Sequence, residues 1–352
     1  MNIHFVLPQV VPTYGMEKAA LELMEALAGF GAAVSSCTLS GPPAPGAGVS
    51  LEVEPGRFRL PRAVPQLRRH LSSLPPGTHI VASGLWAALP VGCALVGTGR
   101  SYLAWEHSVL PVRLQADRRV AGLFRAVGQR PVRPRAVVAV SSGVRRAVLA
   151  AWPNATVETI PNIVAAPALL PRPRQSADGR ATLVTTGALR PLKNTRAAIH
   201  ALRHLPDSYL LKVAGDGPLA DPLWAEVREL GLTERVRFLG RISDVAGLLD
   251  EADVLVHPSL AETFGFSLFE AANAGVPVAA FDVEAIDEIV PGYVPGALAS
   301  EMTAESLAAA IRRLCEDGTN VEQNAAAWRR RRDDLSPATV AERWCTVLEW
   351  RS

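Results

Sequence analysis

Cysteine is scarce in this sequence of 352 residues, and the few cysteines are widely separated. They form no C-x-x-C pair and stand at Cys37, Cys93, Cys315 and Cys345. This pattern argues against a disulfide framework and against a metal site built on closely spaced thiols. It is typical of a protein of the reducing cytosol, so we expect a cytoplasmic protein without a bound metal.

The sequence also lacks the marks of a secreted or membrane-spanning protein. Its start, MNIHFVLPQVV, has no basic segment before the apolar run and predicts a first strand rather than a signal peptide. Residues 80–97 are free of charge and nearly long enough to cross a bilayer. Because Gly84, Pro90 and Gly92 interrupt them, we favour a buried strand at residues 80–82 and then a buried helix over a transmembrane span.

Charge is unevenly distributed along the chain. Residues 1–164 contain 16 basic and 8 acidic residues, whereas the remainder contains 20 and 26. A basic first half could meet an anionic acceptor, a membrane surface or nucleic acid, although an arginine-rich genome would produce part of this bias. A basic amphipathic helix around residues 65–74 could touch a membrane peripherally, but a solvated helix face is the commoner explanation. We expect no nucleic-acid partner.

Apolar runs alternate with helical patterns along the whole chain, and 49% of the residues are apolar. Such alternation is typical of α/β domains with parallel sheets, and the length suits two domains of ordinary size. Predicted strands lie at residues 3–7, 34–39, 80–82, 102–105, 136–140, 182–186, 209–214, 236–239, 254–256 and 276–281. The Pro-rich residues 166–179 predict a linker between a domain at 1–165 and another at 180–336.

The most informative stretch is residues 259–273, SLAETFGFSLFEAAN. It follows a predicted buried strand, and a helical pattern begins after Phe264 and Gly265. Ligands of open α/β sheets bind at such strand-to-helix turns. The amides of the first helical turn, which are those of Phe266, Ser267 and Leu268, are predicted to face a phosphate.

Two carboxylates frame this predicted anion site. Glu262 lies in the loop, and Glu270 lies about one and a half turns into the helix. A carboxylate accepts hydrogen bonds from neighbouring sugar hydroxyls, so the combination favours a nucleotide-diphosphate sugar as ligand. A capped surface helix with two solvated acids would explain a bare E-x7-E spacing. The preceding strand, the Phe-Gly pair and the AGVPV run that follows favour the binding site.

Residues 258–278, PSLAETFGFSLFEAANAGVPV, resemble the signature of the family 4 retaining glycosyltransferases. That pattern is roughly P-S-x-x-E-G-F-G-x-x-x-x-E-A-x-A-x-G-x-P-V, and Thr263 replaces its Gly. The resemblance covers essentially the whole chain. It implies an α/β protein of the GT-B fold, with two Rossmann-like domains, a cleft between them, and a final helix at 337–352 that packs back on the first domain.

The resemblance also implies roles for residues after the first strand of the second domain. In GALRPLKN, which begins at Gly187, Lys193 matches the family lysine that contacts the donor diphosphate. Ala188 replaces the family arginine, and Arg190 is the candidate substitute. The chain has only three lysines, and one of them falls at this position.

Further donor contacts follow from the same resemblance. Glu262 would bind hydroxyls of the transferred sugar, and Glu270 would bind the ribose. Arg241 and Ile242 would neighbour the nucleobase. The donor-binding set is completed by Phe264, Gly265, Phe266, Ser267 and Leu268.

Two residues of the first domain join the predicted site by resemblance. Gly15 retains one glycine of the family's Gly-Gly loop, and Tyr14 replaces the other. His107 matches the family histidine at a strand end and would bond a sugar hydroxyl rather than act as the main base. With Glu262 and Lys193, His107 forms the predicted catalytic set.

The predicted activity is transfer of a sugar, with retention of configuration, from a UDP- or GDP-sugar co-substrate to an acceptor hydroxyl. No cofactor and no metal are expected. The acceptor stays open among metabolites, natural products, lipids and polysaccharide precursors. A front-side substitution, in which the leaving phosphate takes the acceptor proton, is the preferred mechanism because the sequence suggests no enzymic nucleophile.

Three alternatives belong to other classes. A nicotinamide-dependent dehydrogenase needs G-x-G-x-x-G after the first strand, where this chain has only Gly15. A pyridoxal-type phosphorylase needs a Schiff-base lysine, and none of the three lysines has a recognisable context. A non-catalytic nucleotide-sugar-binding module of the same fold is disfavoured by the intact pair of acids and by Lys193.

Overall fold

The computed structural model describes residues 1–9, 15–46, 48–53, 59–107, 118–129, 131–164, 180–316 and 332–349. The chain divides into two compact units. The first comprises Met1–Ala165 with Asp334–Ser352, and the second comprises Ala166–Asp333. The predicted linker at 166–179, and Tyr14 with the loop before Gly15, lie outside the described residues.

The first unit is built on a sheet of seven parallel strands in the order β3-β2-β1-β4-β5-β6-β7. They are β1 Asn2–Leu7, β2 Ala33–Thr38, β3 Gly48–Ser50, β4 His79–Ser83, β5 Tyr102–Glu106, β6 Ala136–Ala139 and β7 Val157–Thr159. The predicted strands of this half are confirmed within one or two residues. Strands β1 and β4 to β6 are almost wholly buried, as expected for a parallel sheet covered on both faces.

Helices connect these strands. They are α1 Gly15–Gly29, α2 Arg59–Ser73, α3 Leu85–Leu95, α4 Arg118–Val127 and α5 Ser142–Ala151. The apolar helix predicted after residue 82 is α3; it is buried and packs against α2 and α4. Among the helices described, none is both long and apolar enough to cross a membrane. The predicted basic helix is α2, which starts six residues earlier than expected.

The second unit contains six parallel strands in the order β10-β9-β8-β11-β12-β13. They are β8 Ala181–Thr186, β9 Tyr209–Ala214, β10 Val236–Gly240, β11 Val254–His257, β12 Val278–Phe281 and β13 Gly296–Ala299. The helices are α6 Thr195–Ala201, α7 Ala220–Glu229, α8 Val245–Asp250, α9 Phe266–Asn273, α10 Ile286–Gly292 and α11 Ala304–Glu316. Short 3-10 helices lie at Pro191–Lys193, Leu202–His204 and Arg332–Leu335.

One strand boundary differs from the prediction for a local reason. The strand expected at 276–281 begins at Val278. Val276 donates its N–H to the Ala271 carbonyl at 2.8 Å and so closes the end of α9. Pro277 has no N–H with which to extend the strand ladder.

The last helix, α12 Pro337–Glu349, belongs to the first unit. It packs on α1, and its Trp344 is fully buried with its ring 5.2 Å from that of Trp105 in an edge-to-face pair. The Arg135 guanidinium donates to the Leu348 carbonyl at 2.7 Å. The chain therefore returns to the first unit after completing the second.

Main-chain hydrogen bonds tie together the loops at the carboxyl edge of the second sheet. Four of them are Gly187 N–H to Ala214 O (3.0 Å), Leu189 N–H to Asp216 O (3.0 Å), Gly215 N–H to Gly240 O (2.8 Å) and Leu260 N–H to Leu192 O (2.9 Å). These bonds link the loops after β8, β9, β10 and β11. The edge that would carry a ligand is thus held by backbone contacts.

Glycine is required where these loops meet. Gly215 has φ +150°, and a Cβ at this position would overlap the carbonyl oxygen of Gly187. Because the obstacle is main chain, it cannot rotate away as a side-chain tip could. The close approach of the two loops therefore depends on the absent side chain.

We predict that Gly215→Ala lowers the free energy of unfolding of the second unit by about 2–4 kcal/mol, because it adds a backbone clash to an unfavourable φ. Gly231→Ala is the matched control, since Gly231 has φ +69° but open space around its Cβ position. The control should cost about 1 kcal/mol. Urea unfolding measures both, and equal losses in the two variants would contradict the close-approach argument.

Candidate functional site

The strand order of the second unit reverses between the neighbouring strands β8 and β11. At such a reversal the loops diverge and leave a crevice in which ligands of open α/β sheets bind. The loop after β8 ends in the 3-10 helix Pro191–Lys193, and Asn194 follows in a left-handed conformation with φ 48°. The loop after β11 carries Glu262. These two loops bring Lys193 and Glu262 together, although they are 69 residues apart in sequence.

Glu262 receives three contacts on a single carboxylate oxygen. Its Oε1 is bound by Lys193 Nζ, by His257 Nε2 at 3.1 Å and by the Ser259 hydroxyl at 3.2 Å. The side chain of Glu262 is only 10% exposed, whereas that of Lys193 is 33% exposed. All three contacts thus fall on Oε1, and none of them involves Oε2.

His257 joins the carboxylate to the start of α9. It is the last residue of β11 and is buried, with 4% of its side chain exposed. Its Nε2 donates to Glu262, because a carboxylate at this position is an acceptor only. Its Nδ1 lies 3.3 Å from the Ser267 hydroxyl in the first turn of the helix. Ser267, His257, Glu262 and Lys193 thus form one connected polar chain.

The pKa of Glu262 lies well below its ordinary value. Burial by itself would raise the pKa of this carboxyl. The hydrogen bond from His257 and the charge of Lys193 act in the opposite direction and together outweigh burial. Glu262 is therefore an ionised carboxylate at neutral pH.

The start of α9 corrects one prediction about its amides. Gly265 caps the helix in a left-handed conformation with φ 69°. Leu268 donates its N–H to the Gly265 carbonyl at 2.9 Å, so this amide is already engaged within the first turn. The expectation that the Leu268 amide is free for a ligand is therefore wrong.

Phe264 is placed in the core rather than toward a ligand. Its side chain is 4% exposed and stacks on Phe269 with ring centroids 4.7 Å apart. The ring of Phe266 lies 5.1 Å away, edge to face. This aromatic packing fixes the turn before α9, and only the main chain of Phe264 could reach a ligand.

The other predicted donor residues lie on the same edge of the second sheet. Gly187 and Arg190 are exposed in the loop after β8, and Lys193 is half-buried at its end. Arg241, which is exposed, and Ile242, which is half-buried, follow β10. Glu270 is half-buried in the second turn of α9.

Gly15 and His107 lie in the first unit. Gly15 begins α1, and His107 directly follows β5. Desolvation lowers the pKa of His107 to about 3, so its imidazole is neutral at physiological pH. Its ring centroid lies 4.2 Å from that of Trp105, and its buried Nε2 has no hydrogen-bond partner among the described residues. As a neutral ring, His107 could act as a hydrogen-bond donor or acceptor but not as a cation.

Sequence reasoning missed His257 and Ser259 as members of the site. His257 ends β11 and directly precedes the signature, whereas Ser259 is the second residue of the signature, at the start of the following loop. A histidine that ends an otherwise apolar strand is the signal that could have identified the first of them. Its bond to Glu262 depends on how the loop folds back over the strand end.

We predict that Glu262→Gln destabilises the second unit by about 1–3 kcal/mol at pH 7, because it removes the charge that Lys193 and His257 surround. A carboxyl whose pKa is lowered by folding stabilises the fold above its unfolded pKa, near 4.3, and loses that contribution as pH falls further. The difference between wild type and variant should therefore shrink below about pH 4. Chemical unfolding at several pH values measures it.

The control for this experiment is Glu229→Gln, which changes an exposed acid at the end of α7. It should shift the free energy of unfolding by less than about 0.5 kcal/mol. A Glu262→Gln effect that is the same at pH 3 and pH 7 would contradict the stabilised carboxylate.

Two family models match successive parts of the chain. Residues 13–166 match the model described as Glycosyltransferase Family 4. Residues 170–332 match the model described as Glycosyl transferases group 1. The matches thus fall on both units and include the Lys193 and Glu262 loops.

Curated relatives agree with these matches. The 2-deoxystreptamine glucosyltransferase of Streptomyces kanamyceticus is 30% identical over 257 residues, which are 66% of each chain. A glycogen synthase of Mycobacterium tuberculosis is 32% identical over 174 residues, which are 48% of this chain and 42% of the relative. The chain therefore spans less than two thirds of the length of these relatives.

Solved structures resemble the whole chain in fold. Sucrose-phosphate synthase from Thermosynechococcus elongatus has a TM-score of 0.81 at 20% identity, and the match covers 99% of this chain and 98% of that one. The Anabaena protein HepE in complex with UDP and glucose has a TM-score of 0.78 at 20% identity, with 99% of each chain covered. At this identity the likeness concerns the fold.

The predicted family and fold class are confirmed by these comparisons. The two doubly wound sheets are the two Rossmann-like domains expected of that fold. The signature loop lies at the strand-order reversal, where its glutamate meets the lysine of the neighbouring loop. This chain therefore belongs to the family 4 glycosyltransferases of the GT-B fold.

Proposed function

We propose that this chain transfers a sugar from a nucleotide-diphosphate sugar to a hydroxyl of an acceptor, with retention of anomeric configuration. The single observation that carries the proposal is the Lys193–Glu262 pair at the strand-order reversal of the second unit. It places a cation and a carboxylate side by side at the edge where such folds bind ligands. A donor with a diphosphate beside a polyhydroxylated ring matches that pair of charges.

Glu262 would bind hydroxyls of the transferred sugar. A carboxylate has about four lone-pair sites, and the three described contacts all fall on Oε1. Oε2 is thus the acceptor that remains for a pair of neighbouring hydroxyls. Because His257 and Ser259 hold Oε1, the orientation of Oε2 is set before the sugar arrives.

Lys193 would stabilise the diphosphate as it leaves. Its ammonium has three donors, and Glu262 uses one of them. The first turn of α9, with the amides of Phe266 and Ser267, would add partial positive charge, and Arg190 could supply a further donor. Groups that are already oriented toward a developing negative charge are usually the largest catalytic contribution. In this scheme the protein supplies the positive charge without a metal.

Retention would follow from a front-side substitution. The bond between the anomeric carbon and the phosphate oxygen breaks while the acceptor oxygen bonds to the same face. The departing phosphate oxygen takes the acceptor proton. Glu262 is a poor candidate for a covalent nucleophile because one cation and two hydrogen bonds already stabilise its charge.

Similar proteins favour particular classes of donor and acceptor. The structurally similar HepE was solved with UDP, which favours a UDP-sugar as the first donor to test, with a GDP-sugar second. Relatives named for an aminocyclitol and for glycogen support an acceptor that carries hydroxyl groups.

The basic first unit would suit an acidic or phosphorylated acceptor or a peripheral membrane contact. We place the protein in the cytoplasm in this scheme.

We predict that Glu262→Ala lowers turnover by about 100-fold or more with little loss of nucleotide affinity, because its contacts act at the reacting sugar. Glu270→Ala should weaken binding of the free nucleotide by about tenfold, because a hydrogen bond to the ribose is lost. Isothermal titration with nucleotide and a transfer assay separate the two effects.

Glu229→Ala, an exposed change in the same unit, is the matched control and should alter neither quantity. Equal binding losses in the Glu262 and Glu270 variants would overturn the assignment of roles. Binding of donor without hydrolysis or transfer would indicate a non-catalytic binding module.

We predict that one class of nucleotide sugar raises the melting temperature of the protein, because a ligand that binds only the folded state stabilises it by mass action. A thermal-shift screen of UDP-, GDP-, ADP- and TDP-sugars identifies that class. At a concentration 100 times the dissociation constant the stabilisation is about 2.7 kcal/mol. No shift with any donor, together with no transfer, would reject the proposed function.

A further inference from the structure

Three potential metal ligands meet in the first unit, on two strands and one helix. They are His4 of β1, Cys37 of β2 and His70 of α2. One ligand atom from each residue lies within 4.8 Å of the other two. His4 and Cys37 are buried, and His70 is half-buried. Nothing in the proposed sugar transfer uses this cluster.

The strand register explains why two of the ligands share a face. In the parallel pair β1–β2, His4 lies opposite Ser35. Opposite residues of a parallel pair point to the same face, and Cys37, two residues after Ser35, points there as well. Helix α2 contributes the third ligand, because His70 follows the fully buried Leu67 by three residues and so lies on the same face of the helix.

Hydrogen bonds orient the imidazole of His4. Its Nδ1 lies 2.8 Å from the Ser35 hydroxyl, and that hydroxyl itself points to the Ile3 carbonyl at 3.5 Å. In this arrangement His4 donates its Nδ1–H to the Ser35 oxygen. The lone pair is then on Nε2, which faces the cluster. A hydrogen-bonded ring nitrogen that fixes the tautomer in this way is a regular feature of histidine metal ligands.

The spacing of the nitrogens suits a shared metal ion. His4 Nε2 and His70 Nε2 are 3.1 Å apart. Two nitrogens bound to one tetrahedral zinc ion at the usual 2.0–2.1 Å are about 3.3 Å apart. Two imidazoles and a thiolate are also ligands that zinc prefers.

We propose that His4, Cys37 and His70 form a zinc-binding site that fastens α2 to the first two strands of the sheet. The fourth ligand position would be taken by water entering beside the half-buried His70. On binding, the Cys37 sulfur–hydrogen bond is replaced by a sulfur–zinc bond, and the proton passes to solvent. Both imidazoles bind as neutral ligands and release none.

The pKa values of His4 and Cys37 agree with the release of one proton, from the thiol, when a metal binds. Burial, with the nearby His70, lowers the pKa of His4 to about 3, so the ring is neutral. Burial raises the pKa of Cys37 to about 12, so the thiol carries the proton that a metal would displace. Without a metal, the cluster consists of the paired imidazoles of His4 and His70 next to the buried thiol of Cys37.

The test uses the full chain after removal of metals with a chelator. We expect the stripped protein to bind one equivalent of Zn²⁺, measured by competition with a chromophoric chelator. Co²⁺ in place of Zn²⁺ should produce the intense sulfur-to-cobalt charge-transfer absorption of a thiolate ligand. Cys37→Ser should abolish this absorption, and His70→Gln should weaken Zn²⁺ binding by about 100-fold or more. Ser35→Ala, which removes only the orienting hydrogen bond, should weaken it by about 10- to 100-fold.

Matched controls change a thiol and an imidazole of the same unit outside the cluster. Cys93→Ser in α3 and His79→Gln in β4 should bind Zn²⁺ as the wild type does. Absence of charge-transfer absorption in the wild-type protein would overturn the proposal, as would its persistence in Cys37→Ser. If Cys37→Ser does not fold, the half-buried His70→Gln and Ser35→Ala decide, and unchanged Zn²⁺ affinity in both would also overturn it.

Discussion

The ion pair between Lys193 and Glu262 is the interaction on which the functional edge of the second unit depends. Burying a carboxylate is unfavourable unless donors surround it. Here three donors converge on one oxygen and lower the carboxyl pKa in spite of burial. The result is a fixed negative charge beside a fixed positive charge, each on a loop from a different strand.

The backbone around the pair keeps both charges in place. Leu260 donates its N–H to the Leu192 carbonyl at 2.9 Å, so the two loops are joined next to the residues that pair. The loops after β9 and β10 are linked to the same edge, and Gly215 permits their close approach. Side chains on loops that are held in this way lose little conformational entropy when a ligand binds, which favours both affinity and catalysis.

The two units share an architecture but place polar groups differently. Both contain parallel sheets whose strand order reverses beside the first strand of the unit. In the second unit Lys193 and Glu262 lie in loops that follow the carboxyl ends of β8 and β11. In the first unit His107 lies at a strand end, whereas His4 and Cys37 lie within strands and face α2. Residues inside a strand pair suit a structural role, because a substrate reaches them less easily than it reaches a loop.

The sequence by itself determined ten of the thirteen strands that the structure describes, since buried parallel strands are continuous apolar runs that end at turn residues. The short strands β3, β7 and β13 were not predicted. It also determined the family, because the loop around Glu262 carries a long signature and Lys193 matches the family lysine of its loop. Both residues follow strands, so their placement at one sheet edge could be expected. That they bind each other was decided by the tertiary structure.

Tertiary structure alone decided the contacts that depend on register and loop path. His257 and Ser259 became partners of Glu262 because the loop returns over the end of β11. The amide of Leu268 was expected to be free, but the turn at Gly265 engages it. The isolated position of Cys37 in the sequence argued against a metal site. The pairing of β1 with β2 and the docking of α2 nevertheless bring it close to two histidines, because distance in space is set by register and packing rather than by spacing along the chain.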